Sequence, residues 1–110
     1  MANTFYRKTS SNVGTTATTV GGYTVGGATT SVILGLALAN NTGATINASA
    51  FIANATALTY IVKNAPITTG GTLVIVGGDQ KMVIQTNDNV KVVSDTASSI
   101  DAVMSIMEIT

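Results

Sequence analysis

Histidine, cysteine and tryptophan are absent from this 110-residue chain, and charge is scarce, with five Lys and Arg against five Asp and Glu. Each absence removes a class of chemistry. Without histidine, no side chain titrates near neutral pH at its ordinary pKa, so general acid–base catalysis loses its usual agent. Without cysteine there is no disulfide, no thiolate nucleophile and no thiolate metal site, and redox chemistry gives no reading of the compartment. Proline occurs once, at Pro66, and only five residues are Phe or Tyr. Charged residues make up 9% of the chain, against roughly 25% in an ordinary domain. A disordered chain of low hydrophobicity would carry far more charge, and 45% of this one is apolar. A free monomer with zero net charge and so few charges is poorly protected against association. Much of the surface is therefore expected to be covered by neighbouring subunits.

The length corresponds to one domain with a core of its own. The longest apolar run, Val32 to Ala39, falls far short of the roughly 20 residues a membrane helix needs. The N-terminus, Met1-Ala2-Asn3-Thr4-Phe5-Tyr6-Arg7-Lys8, has no apolar h-region, so no secretory signal is expected. Synthesis in a cytoplasm, with no membrane association, is the corresponding expectation.

What is present is a two-residue period, the signature of strands. From Val32 to Ala39 the pattern predicts one face of Val32, Leu34, Leu36 and Leu38 and another of Ile33, Gly35, Ala37 and Ala39. The segment from Ala44 to Ile52 points Ile46, Ala48, Ala50 and Ile52 inward, leaving Phe51 as the misfit on a polar outer face. Ala57–Lys63, Thr72–Val76, Lys81–Gln85, Asn89–Ser94 and Ile100–Ile109 read as further strands. In the last of these, Ile100, Ala102, Met104 and Ile106 form one face. Val103, Met107 and Ile109 leave the other apolar too, so both faces are expected to be covered, by the core or by a subunit. Turns are expected at Asn40-Asn41-Thr42-Gly43, with residues that tolerate positive φ, and at Gly70-Gly71, Gly77-Gly78-Asp79 and Asn87-Asp88-Asn89. Pro66 is expected beyond the end of its strand. Short strands with regular turn signals predict an all-β, single-domain antiparallel β-sandwich, jelly-roll-like or Ig-like.

Residues 1–30 differ from residues 31–110. They are rich in Thr, Gly and Ser and hold a short echo, Val20-Gly21-Gly22-Tyr23 and Val25-Gly26-Gly27-Ala28. They are expected to form an extended N-terminal arm with irregular strands, packing on the sandwich or on a neighbour. Residues 31–110 are the expected sandwich core.

No catalytic constellation emerges, and no enzyme activity is expected. Asp79, Asp88 and Asp95 lie in expected turns, where such side chains bond their own backbone. Asn87-Asp88-Asn89 lacks the further carboxylates that calcium needs. None of the glycine pairs precedes a helix or a Lys-[Ser/Thr] pair, which excludes a phosphate loop. The bases are scattered apart from Arg7-Lys8, so no nucleic-acid footprint forms. Three Asn-x-[Ser/Thr] triplets arise by chance in a chain this rich in Asn and Thr. No metal and no cofactor is expected.

Several stretches of the second half carry a resemblance. Tyr60-Ile61-Val62-Lys63-Asn64-Ala65-Pro66-Ile67 is followed by Gly70-Gly71-Thr72-Leu73. Then come Gly77-Gly78-Asp79-Gln80-Lys81-Met82-Val83-Ile84 and Asp88-Asn89-Val90-Lys91-Val92. The chain closes with Ala97-Ser98-Ser99-Ile100-Asp101-Ala102-Val103-Met104-Ser105 and Glu108-Ile109-Thr110. This ordering of turns and strands resembles small β-sandwich virion structural proteins of tailed bacteriophages, especially phages of marine cyanobacteria. The resemblance implies a virion protein that decorates and cements the head. A neck or tail accessory protein, or a fibre-tip module binding a receptor or carbohydrate, are the alternatives. The implied partners are copies of the chain itself, as a trimer, and other virion proteins such as the major capsid protein. Candidate intersubunit contacts, chosen on residue type, are Phe5, Tyr6, Arg7, Lys8, Tyr23, Phe51, Met104 and Met107.

Overall fold

In a computed structural model, residues 2–77 and 79–110 are described. Among them the chain forms strands β1 (Asn3–Val13), β2 (Thr18–Thr24), β3 (Thr30–Asn40), β4 (Ile46–Asn54), β5 (Ala57–Ile67), β6 (Thr72–Val76), β7 (Met82–Gln85), β8 (Asn89–Ser94) and β9 (Ile100–Ile109). They build two antiparallel sheets. One runs β1-β9-β3-β6 with β7 also pairing β3, and the other runs β2-β8-β4-β5. The chain crosses between sheets at nearly every connection, β4 to β5 and β6 to β7 excepted. With β6 and β7 counted as one interrupted strand, this is the wiring of an eight-stranded jelly roll. The all-β sandwich expected from periodicity is the fold, and strand order decides for the jelly roll over the Ig arrangement.

The first thirty residues supply one edge strand to each sheet. β1 pairs with β9 of the same chain, from Asn3 opposite Ile109 to Ser10 opposite Ala102. β2 pairs with β8. The accessible surface of 5651 Å² equals the roughly 5,650 Å² expected of a compact monomer of this mass. Among the described residues, β1 and β2 are members of the two sheets. Met1 lies outside the described residues.

The core lies between the sheets. Ile33, Leu36 and Leu38 of β3 and Ile100, Ala102, Met104 and Ile106 of β9 are buried on the first sheet. Ile46, Ala48 and Ala50 of β4 and Val90 and Val92 of β8 are buried on the second. On β4 the inward set is the one that alternation predicts. On β3 it is not. Ile33 joins Leu36 and Leu38 inside, because the register shifts between Ile33 and Gly35. One extra residue at this bulge flips every preceding side chain to the other face. Val32 therefore faces outward, opposite Met107 and Val83.

Two further expectations are corrected. Pro66 does not lie beyond β5. It sits within the strand, opposite Asn47, and is tolerated because β5 is an edge whose outer side needs no N–H donor. Asn40-Asn41-Thr42-Gly43 contains no positive φ. The buried Asn40 side chain organises this loop instead. Its Nδ2 donates to the carbonyls of Ala44 at 2.7 Å and Ile67 at 2.9 Å. Its Oδ1 accepts from the Thr42 N–H at 2.9 Å and hydroxyl at 2.8 Å. Asn87 and Gly70 do adopt positive φ at their turns. In the turn expected at Gly77-Gly78-Asp79, Gly78 lies outside the described residues.

The first Val-Gly-Gly echo has a structural reason. Gly21 and Gly22 both take positive φ, at 60° and 65°, within the irregularity of β2 between Thr19 and Thr24. A Cβ on Gly21 would lie 2.6 Å from the Lys8 Cβ, whereas one on Gly22 would meet nothing within 4 Å. Bare glycine at position 21 therefore lets β2 approach β1. Both Gly21→Ala and Gly22→Ala are expected to destabilise by about 1 kcal/mol through backbone strain. Gly21→Ala should lose a further ~1–2 kcal/mol through overpacking. Urea denaturation of the two variants checks this, and equal midpoints would contradict the close approach.

Candidate interaction surface

The two-residue period divides the N-terminal quartet. Phe5 and Arg7 stand opposite Met107 and Ser105, on the outer face of the first sheet. Tyr6 and Lys8 stand opposite Ile106 and Met104, on the side that faces β2. There Lys8 Nζ lies 4.9 Å from the centre of the Tyr6 ring and 5.2 Å from that of Tyr23. The ammonium is held against the negative faces of two aromatic rings.

Tyr23 is itself buried, with its hydroxyl inside a polar cluster. It donates to Glu108 Oε2 at 2.6 Å. That uses its only proton, so the 2.5 Å contact with the fully buried Ser31 is donated by the serine. Burial first, and the hydrogen bond to Glu108 second, push the Tyr23 phenol up to about 12. This group ties β2 to β3 and β9 and has little surface to offer a partner. Met104 is fully buried in the core, whereas Met107 is half-buried on the outer face. Phe51, on the outer face of the second sheet, is nearly covered there, with the Tyr60 ring centre 5.2 Å away and Lys63 Nζ 5.0 Å above that ring. The eight candidates thus fall into separate places, and only Phe5, Arg7 and Met107 share an open face.

That face carries four of the seven exposed large apolar side chains among the described residues. Phe5 (68% exposed), Val74 (63%), Val83 (57%) and Val103 (46%) stand on it. Cross-strand pairing lays out one row as Phe5, Met107, Val32 and Val83 across β1, β9, β3 and β7. Another runs Thr9, Val103, Ala37 and Val74 across β1, β9, β3 and β6. Sequence reasoning found Val103 and Met107 through the doubly apolar β9. It missed Val32, because of the bulge, and Val74 and Val83, whose short strands give too few residues to fix a face.

The acids act as clips. Asp88 accepts from the Gln85 N–H at 2.8 Å and from Asn54 Nδ2 at 2.7 Å. Asp101 accepts from the Asn12 N–H at 2.9 Å and Asn41 Nδ2 at 3.2 Å. Asp95 accepts from the Asn47 N–H at 3.1 Å, a bond that holds its carboxyl below the usual carboxylate range. Among the described residues no three potential metal ligands converge, no pocket opens, and no helix is long and apolar enough to cross a membrane.

No protein-family model matches the chain, and no curated protein matches it. Solved structures do. The fold is similar to that of the Bacillus endospore appendages, described as a novel family of disulfide-linked pili. That likeness has 14% identity and a TM-score of 0.54, over 100% of this chain and 91% of the other. At such identity the likeness is one of fold. Chains of infectious bursal disease virus also match, at 12% identity. The Gt strain gives a TM-score of 0.47 over 97% of this chain and 32% of the viral one, and the Gx strain gives 0.44 over 96% and 32%.

The raised phenol has a testable consequence. A folded-state pKa of about 12 against an ordinary value of 10.0 favours the neutral phenol on folding. The resulting stability is fully present below pH ~10 and is lost as pH rises toward ~12. Tyr23→Phe should therefore be less stable than wild type at neutral pH, with the gap closing above pH ~10. Denaturant titrations across this range check it, and a gap independent of pH would contradict the assignment.

Proposed function

We propose that this chain is a structural subunit of a tailed-phage particle, and within that class a head-decorating cement protein working as a homo-oligomer. The observation that carries the reading is the outer face of the β1-β9-β3-β6 sheet, which presents two apolar rows with Arg7 between them and Asp101 at one end. A surface of this kind marks a place where another protein sits. The strand and turn order, which resembles that of small phage virion proteins, supports this class of particle. The titratable groups support the same view, since Asp88 and Asp95 are spent on turns and the buried phenol on an internal cluster with Glu108. Cementing asks for a closed, rigid body that repeats one patch many times, so that modest contacts add up through multivalency. The appendage that shares the fold is described as disulfide-linked. This chain has no cysteine, so its copies would be held by surface complementarity alone.

A neck or tail accessory role uses the same surface and differs only in where on the particle it is met. Purified protein added to particles that lack it should rebind to the heads at saturating stoichiometry and raise their resistance to heat. Mass spectrometry of washed particles and a thermal release assay measure both. A chain that co-purifies with no particle would overturn the proposal, and one that rebinds only to tails would move it to the accessory role.

A further inference from the structure

We infer that the outer face of the β1-β9-β3-β6 sheet packs against the same face of a second copy of this chain. This deepens the assembly reading above and rests on it for one premise, that the chain works as one of several copies.

The face has the anatomy of an interface. Two apolar rows, Phe5-Met107-Val32-Val83 and Val103-Ala37-Val74, lie on either side of a middle row of Arg7, Ser105 and Gly35. The ends of the face are polar. Asn3, Thr30 and Gln85 close one end, in register with Ile109. Asp101 and Thr72 close the other, flanking Ala39. Apolar side chains enclosed by a polar rim are how stable interfaces are built.

The size fits a second copy. Phe5, Val74, Val83 and Val103 expose on the order of 400 Å² of apolar side chain between them, given the usual areas of aromatic and aliphatic groups. A standard interface takes about 800 Å² from each partner, a little over half of it apolar. The patch therefore supplies most of the apolar area that one half of a stable dimer needs.

Charge and shape favour self-association over another partner. Arg7 lies between the two apolar rows but stands on β1, the edge strand, where its long side chain can reach solvent at the rim. The net charge of the chain is zero, so two copies meet without long-range repulsion. Two sheets of identical twist stack face to face in the aligned geometry of a sandwich, and a copy of this sheet meets that condition by construction. A face that meets itself closes as a two-fold pair. The assembling unit is then a dimer, where the sequence alone suggested a trimer.

Sedimentation velocity on the purified chain over a wide concentration range tests this. Wild type should sediment at twice the 11.1 kDa chain mass. Val103→Glu, on β9 between β1 and β3, should weaken self-association by on the order of 30-fold or more. Val74→Glu, on the more exposed edge strand, should act in the same direction and serves as the second variant if the first unfolds, with far-UV circular dichroism reporting the fold. Leu58→Glu, equally apolar and exposed but on β5 of the opposite sheet, should leave the dimer intact. A wild type that stays monomeric throughout, or a dimer lost equally with Leu58→Glu, would overturn the inference. A dimer that is absent from phage particles would leave it standing and remove the virion reading instead.

Discussion

Strand β9 is bonded along both edges, to β1 and to β3, and the rest of the structure depends on that double pairing. It ties the C-terminal strand to the N-terminal one, so the two ends of the chain close a single sheet. Ala2 and Thr110 exchange backbone hydrogen bonds at 3.2 and 3.0 Å. The same strand sets both surfaces of the sheet. Its even residues complete the core, and its odd residues run down the middle of the outer face. A change that slipped β9 by one residue would put Met104 and Ile106 into solvent and Val103 and Ser105 into the core. Register here determines the fold and the interaction surface together.

Much of this was legible in the sequence. The limits of β6, β8 and β9 follow from alternation and turn residues alone, because those strands are bounded by glycine, asparagine or serine. The inward set of β4 was also readable. The failures share a physical cause, irregularity that the two-residue period cannot see. At β3 a bulge reverses the faces, and Gly35 within an apolar strand was the only available signal. At β5 a proline marks an edge strand rather than a strand end, and edge position depends on topology. At Asn40 a buried side chain does the work that positive φ was expected to do. The aromatic-basic quartet looked like one site because its members are adjacent, yet alternation sends Phe5 and Arg7 one way and Tyr6 and Lys8 the other.

The scarcity of charge takes on meaning once the faces are assigned. Of the ten charged residues, several are committed inside the fold. Asp88, Asp95 and Asp101 fasten turns, Glu108 accepts from Tyr23, and Lys8 and Lys63 lie over aromatic rings. Little charge remains to keep copies apart, and on the outer face of the first sheet Arg7 stands between the apolar rows and Asp101 at one end. An edge strand with Arg7 and Lys8 resists open-ended strand addition, while the apolar side chains of the face beside it invite contact of a different, closed kind. The chain thus discourages pairing at one edge and permits it through a face.

The most direct measurement is cryo-electron microscopy of the intact particle with this chain traced in the density. The account predicts copies on the head lattice with the outer face of the β1-β9-β3-β6 sheet buried against a two-fold mate. That face pointing into solvent, or the chain missing from the particle, would contradict it.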